Sequence, residues 1–143
     1  MTKKRVLTGL VAVLCLCSIL TACVKQPAAG ENNGTATYSE DVALGEGAKT
    51  LTIKVVDNEE KEITFTIHTD AQTVGEAMME HNLLSGEAGE YGLYIKVVNG
   101  VRADYDADGA YWGFFRGGEY MMTGVDKTTV SDGDAYELVY TKG

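Results

Sequence analysis

Proline occurs once in these 143 residues, at Pro27, and histidine only at His68 and His81; basic side chains number 12 against 21 acidic ones. A formal charge of -9 makes nucleic acid and anionic lipid headgroups poor partners, because a basic footprint is what holds either. No serine or cysteine stands in a nucleophile motif, and no third ligand is patterned around the two histidines. They read as structural, and no catalytic residue is expected. A phosphate loop is missing too: Gly117-Gly118 falls between two expected strands, with no helix N-terminus to face an anion. The chain is not expected to be an enzyme. No repeat of fixed period appears.

Cysteine is equally scarce, at positions 15, 17 and 23. Lys3, Lys4 and Arg5 precede an apolar run over 6–19 that is too short for a membrane span, and Leu20-Thr21-Ala22-Cys23 follows as a cleavage site. The register of these three parts resembles a bacterial lipobox, in which Cys23 is diacylated and becomes the new N-terminus. Residues 1–22 are therefore expected to be a lipoprotein signal peptide, and the product to be exported and held on the outer face of the cell membrane by lipid. Removal of the leader leaves nine basic against 21 acidic residues, a net of -12. It also leaves no free thiol, so disulfides, zinc-thiolate sites and cysteine catalysis are excluded. Residues 23–48, lacking a period, read as the lipidated cysteine and a flexible linker, and 49–143 as one small domain.

Within that domain, Leu51, Ile53 and Val55 alternate with polar residues, as do Ile63, Phe65 and Ile67, which predicts a hairpin with one buried face. Thr73-Val74-Gly75-Glu76 supplies a capping box. The helix it opens carries Val74, Ala77, Met78 and His81 on one face and ends at Asn82 and the loop 85–89. Strands resume after Gly92, with Asn99-Gly100 as a two-residue hairpin turn. An aromatic strand, a Gly117-Gly118 turn and a last strand from Ala135 to Thr141 complete the order. Hairpin, helix, then further strands is the order of an α+β domain, small and β-grasp-like, with one helix on a mixed sheet.

The aromatic strand is the most informative stretch. Tyr111 and Phe115 share one face and Trp112, Phe114 and Arg116 the other. A one-helix, one-sheet domain can bury only one of these faces, so the strand is either sandwiched beneath a folded-over loop or carries a surplus meant for a partner. Met121-Met122 is either core filler or soft binding surface. Asp104-Tyr105-Asp106-Ala107-Asp108-Gly109 matches half of an EF-hand loop, but the twelfth position is Phe115 and no helices flank it. It reads as a plain acidic turn, with a weak structural calcium at Asp104-Gly109 as the alternative.

Gly92-Leu93 opening a strand that ends at Asn99, then Tyr111-Trp112-Gly113-Phe114 closing on Gly117, then Gly124-Val125 before an acidic turn, resembles the C-terminal β domain of transcobalamin and intrinsic factor. It is more similar still to related bacterial domains, many of them lipoproteins. The resemblance implies a ligand-facing edge made of Tyr111, Trp112, Phe114, Phe115, Gly117, Gly124 and Val125, with corrinoid as candidate ligand and no other cofactor. No stretch of these 143 residues reads as the helical barrel domain that covers the other side of the ligand in that family, so corrinoid affinity of this chain is expected to be weak without a second protein. The alternative is a protein-interaction module at the cell surface, docking on a transporter, adhesion or wall protein.

Overall fold

The computed structural model describes residues 35–143, and strands dominate them. In chain order they are β1 (Val42–Leu44), β2 (Lys49–Val56), β3 (Glu62–Thr69), helix α1 (Val74–Met79), β4 (Leu84–Gly89), β5 (Gly92–Val98), β6 (Val101–Arg102), helix α2 (Tyr105–Asp108), β7 (Ala110–Arg116), β8 (Glu119–Tyr120), a 3-10 turn (Val125–Lys127) and β9 (Ala135–Lys142). The expected hairpin forms in the expected register, with Leu51 opposite Ile67, Ile53 opposite Phe65 and Val55 opposite Ile63. All six are buried, each contributing roughly 1.5–3 kcal/mol of transfer free energy. Asp57 closes the turn: its Oδ1 accepts from the amides of Glu59 at 2.8 Å and Lys61 at 3.0 Å.

The main sheet has six strands in the order β1-β3-β2-β9-β7-β8, with β9 parallel to β2 and antiparallel to β7. A second sheet of three strands, β4-β5-β6, is separate from it. Its buried Leu84, Ile95, Val98 and Val101 share one core with Trp112, Phe114, Tyr136 and Leu138 from the main sheet and Val74, Ala77 and Met78 from α1. The capping box is present, with Glu76 N donating to Thr73 Oγ1 and Thr73 N to Glu76 Oε2, both at 3.3 Å.

This architecture corrects the expected α+β, β-grasp-like domain with one helix on a mixed sheet. The fold is mostly β, in two sheets, and its helices have only six and four residues. One reason lies at 84–89, whose serine and glycines read as a loop. Only Leu84 of β4 is buried, so no alternation marks the strand; pairing of its backbone with β5 makes it one. The second reason is that α1 stops at Met79, short of His81, where Leu83 N returns to Met78 O at 3.0 Å and Asn82 takes a φ of 54°.

The reading of 23–48 as linker also meets a difference over its described part. Val42–Leu44 pairs parallel with β3, and the Tyr38 ring meets Phe65 edge-on at 5.6 Å. Cys23, the leader and the proposed cleavage site lie outside the described residues. Among the described residues no helix is long and apolar enough to cross a membrane.

Candidate functional site

An open cleft of about 550 Å³ lies between the small sheet and the end of the main one. Leu93 and Ile95 of β5 form one wall, Trp112 and Phe114 of β7 the floor, and the crossing segment from Met121 to Val125 another wall that adjoins the first at Leu93. Tyr91, Tyr94, Tyr105, Tyr111 and Tyr120 complete the lining, which contains no Asp, Glu, Lys, Arg or His.

The floor is fixed by cross-strand pairing. Trp112 stands opposite Tyr140 on β9, meets it edge-on at 5.6 Å, and donates from Nε1 to Val101 O at 3.2 Å, joining the main sheet to β6. Phe114 stacks on Tyr136 at 5.1 Å. The Tyr136 hydroxyl donates to Asp134 Oδ2 at 3.3 Å, and Arg116 lies over the same ring while pairing with Asp134 at 3.4 Å. Burial, reinforced by the Asp134 charge, pushes the Tyr136 phenol above its ordinary pKa.

Of the residues singled out from the sequence, Tyr111, Trp112, Phe114, Gly124 and Val125 line the cleft. Phe115 and Gly117 do not. Phe115 projects from the other face of β7, half-buried against the ring of Tyr120 at 5.5 Å, and Gly117 sits in the β7–β8 turn with open space around it.

The aromatic strand itself hides more than its composition suggested, since Trp112 and Phe114 are only 5% and 6% exposed. The apolar surplus sits on the segments around it. Tyr91 is 87% exposed, Met122 93%, and Tyr105 and Tyr120 each 56%. Five of the six large apolar side chains exposed among the described residues (Tyr94 being the fifth) line this one cleft, Met79 alone lying elsewhere. Tyrosines scattered at 91, 105 and 120 share no local pattern, so the sequence offered no signal for them beyond Met121-Met122.

The acidic segment is a helical turn. Asp104 caps α2, its Oδ1 accepting from the amides of Asp106 at 3.0 Å and Ala107 at 3.3 Å, while Arg102 donates to Oδ2 at 3.2 Å. The Ala107 bond first, and Arg102 next, hold its carboxyl below the usual range. Among the described residues no three His, Cys, Asp or Glu side chains are grouped to hold a metal ion. His68 lies 3.3 Å from Thr50 Oγ1, and neither histidine lines the cleft.

A family model described as a domain of unknown function (DUF4430) matches residues 71–142. Among solved structures, a Ruminococcus gnavus ATCC 29149 protein provisionally named metal binding is 42% identical, over 67% of this chain and 99% of that one, with a TM-score of 0.64. Haptocorrin in complex with Cbi is 22% identical over 66% of this chain, with a TM-score of 0.49. The match spans only 25% of haptocorrin, and that likeness is too shallow to carry residues or ligands across. No curated protein matches.

Proposed function

The chain belongs to the family described as a domain of unknown function (DUF4430), and within that family we propose that it is a non-catalytic binding module whose ligand seats in the aromatic cleft. The observation that carries this reading is the convergence of five of the six exposed large apolar side chains on one concavity. Soluble domains scatter such residues singly, and a contiguous exposed cluster marks an interaction site. Concavity favours a small ligand over a protein, and the volume falls within the range of small-molecule sites. Tyrosine suits the purpose, with a flat apolar ring and a hydroxyl that reaches polar groups.

Corrinoid is the first compound to test, on the strength of the sequence resemblance drawn from Gly92 to Val125. A metal-binding name on the R. gnavus relative accords with a ligand that brings its own metal, since the described carboxylates and histidines form no cluster here. Export and lipid anchoring through Cys23 belong to the same proposal and place the cleft outside the cell.

Trp112 at the floor gives the assay. Titration of the protein freed of residues 1–22 with cobinamide should change Trp112 emission saturably, after inner-filter correction, and Trp112→Phe should remove the signal. Absence of saturation up to roughly millimolar ligand would end the corrinoid assignment. The protrusion of Tyr91 and Met122 supports a second reading, a surface partner protein, which photo-crosslinking from position 91 on intact cells would capture. A specific adduct without any small-ligand binding would replace the first reading by the second.

A further inference from the structure

The two long walls of the cleft come from segments far apart in the chain, and one side chain joins them. Asp126 stands immediately beyond the wall that runs from Met121 to Val125. Its Oδ1 accepts the amide hydrogen of Leu93, on the other wall and 33 positions away, at 3.0 Å.

Glycines make the room for this contact. A methyl group at Gly92 would lie 2.9 Å from Asp126 Oδ1, one at Gly124 2.7 Å from the same atom, and one at Gly75 of α1 3.2 Å from the Asp126 backbone nitrogen. Gly92 has a φ of +117° and needs glycine for its backbone as well. Gly124 does not: its φ of -67° and ψ of 159° suit any residue, so what the position requires is space for the carboxylate. The pairs Gly92-Leu93 and Gly124-Val125 thus have one physical cause, since each brings a wall of the cleft up to the same oxygen. The segment bearing Asp126 is itself held: Thr128 Oγ1 donates to Gly124 O at 2.9 Å, and Val74 N at the start of α1 donates to Thr128 O at 2.9 Å.

We infer that Asp126 is a positioning residue that latches β5 to the crossing segment and so sets the width of the cleft; its consequence for ligand affinity rests on the cleft being the binding site. Unlike the lining residues, it acts through Leu93, by way of a backbone bond.

The test is a double-mutant cycle read by amide hydrogen exchange. Asp126→Ala should speed exchange of the Leu93 amide about tenfold, by loss of one charge-assisted bond. Asp126→Asn, which keeps an Oδ1 acceptor, should restore most of the protection. Gly124→Ala should accelerate Leu93 to a similar degree in the native chain and add nothing in Asp126→Ala, where the clash has been removed. The amides of Ile53 and Phe65 report in the same spectra that the core is intact. Acrylamide quenching of Trp112 should rise in every variant that frees Leu93, and cobinamide affinity should fall in the same order.

Additive effects of Gly124→Ala and Asp126→Ala, or an unchanged Leu93 amide in Asp126→Ala, would overturn the latch. So would faster Leu93 exchange with Trp112 quenching and cobinamide affinity both unmoved. If the native chain binds no cobinamide, the corrinoid assignment falls, and exchange with quenching still decides whether the latch exists.

Discussion

Asn99 shows how much one residue can settle. Its φ of 49°, followed by 80° at Gly100, makes the two-residue turn between β5 and β6. The residue is buried, and both polar atoms of its side chain are bonded: Nδ2 donates to Tyr38 O at 3.0 Å and Oδ1 accepts from Tyr38 N at 2.9 Å. The turn that the Asn-Gly pair announces is thus also the anchor for the segment around residue 38. Asn99→Gly keeps the backbone conformation and deletes both side-chain bonds, so stability should fall by about 1–3 kcal/mol. A lowered urea midpoint at unchanged slope would show it, and an unchanged midpoint would argue against the anchor.

Tyr136 yields a second prediction. Its folded pKa lies above the ordinary value of 10.0, so the neutral phenol contributes stability that is full below that pH and is lost as pH rises through the folded pKa. Alkaline titration by absorbance should resolve a late-ionising tyrosine, and Tyr136→Phe should remove that step.

Helices and strands with a buried period could be read directly, and those without one could not. The β2–β3 hairpin, the Thr73 cap and the Asn99-Gly100 turn each rest on local chemistry that the chain spells out. β4 exists because the edge of β5 needs a partner, and β1 because β3 has a free edge; β4 has no alternation to announce it, and β1, three apolar residues, is too short to show one. Thr73→Ala should cost about 1 kcal/mol, read as a lowered thermal midpoint. Since β4 gives only Leu84 to the core, its amides should exchange well before those of β2 and β3. Equal protection would mean that β4 is held by more than its ladder.

The site divides along the same line. Trp112 and Phe114 stood out because an aromatic run is a local signal, whereas Gly124 and Val125 were implied by the family resemblance alone. Tyr91, Tyr105 and Tyr120 did not stand out, because the chain brings them together only by folding. The aromatic run lies in a strand that lines the cleft, but its two inward rings are largely sealed, so the expected surplus is not theirs.

The whole molecule is an acidic body with an uncharged cleft. Its -9 charge lies outside the lining, and its surface pairs, such as Lys54 with Glu137 at 3.4 Å, are only half-buried and contribute little. Ligand affinity through the cleft should therefore shift by less than about twofold between low and high salt. A steep salt dependence would place binding on the charged surface instead.

The central claim is that this cleft meets the ligand, and not the opposite face of the β2–β3 hairpin, where Thr64 and Thr66 alternate with the buried Ile63, Phe65 and Ile67. Its most direct test is a titration of the isotopically labelled domain with cobinamide, followed by amide chemical shifts. Saturable shifts confined to Leu93, Ile95, Trp112, Met122, Gly124 and Val125 are the expected result. Shifts centred on Thr64 and Thr66, or none that saturate, would contradict it.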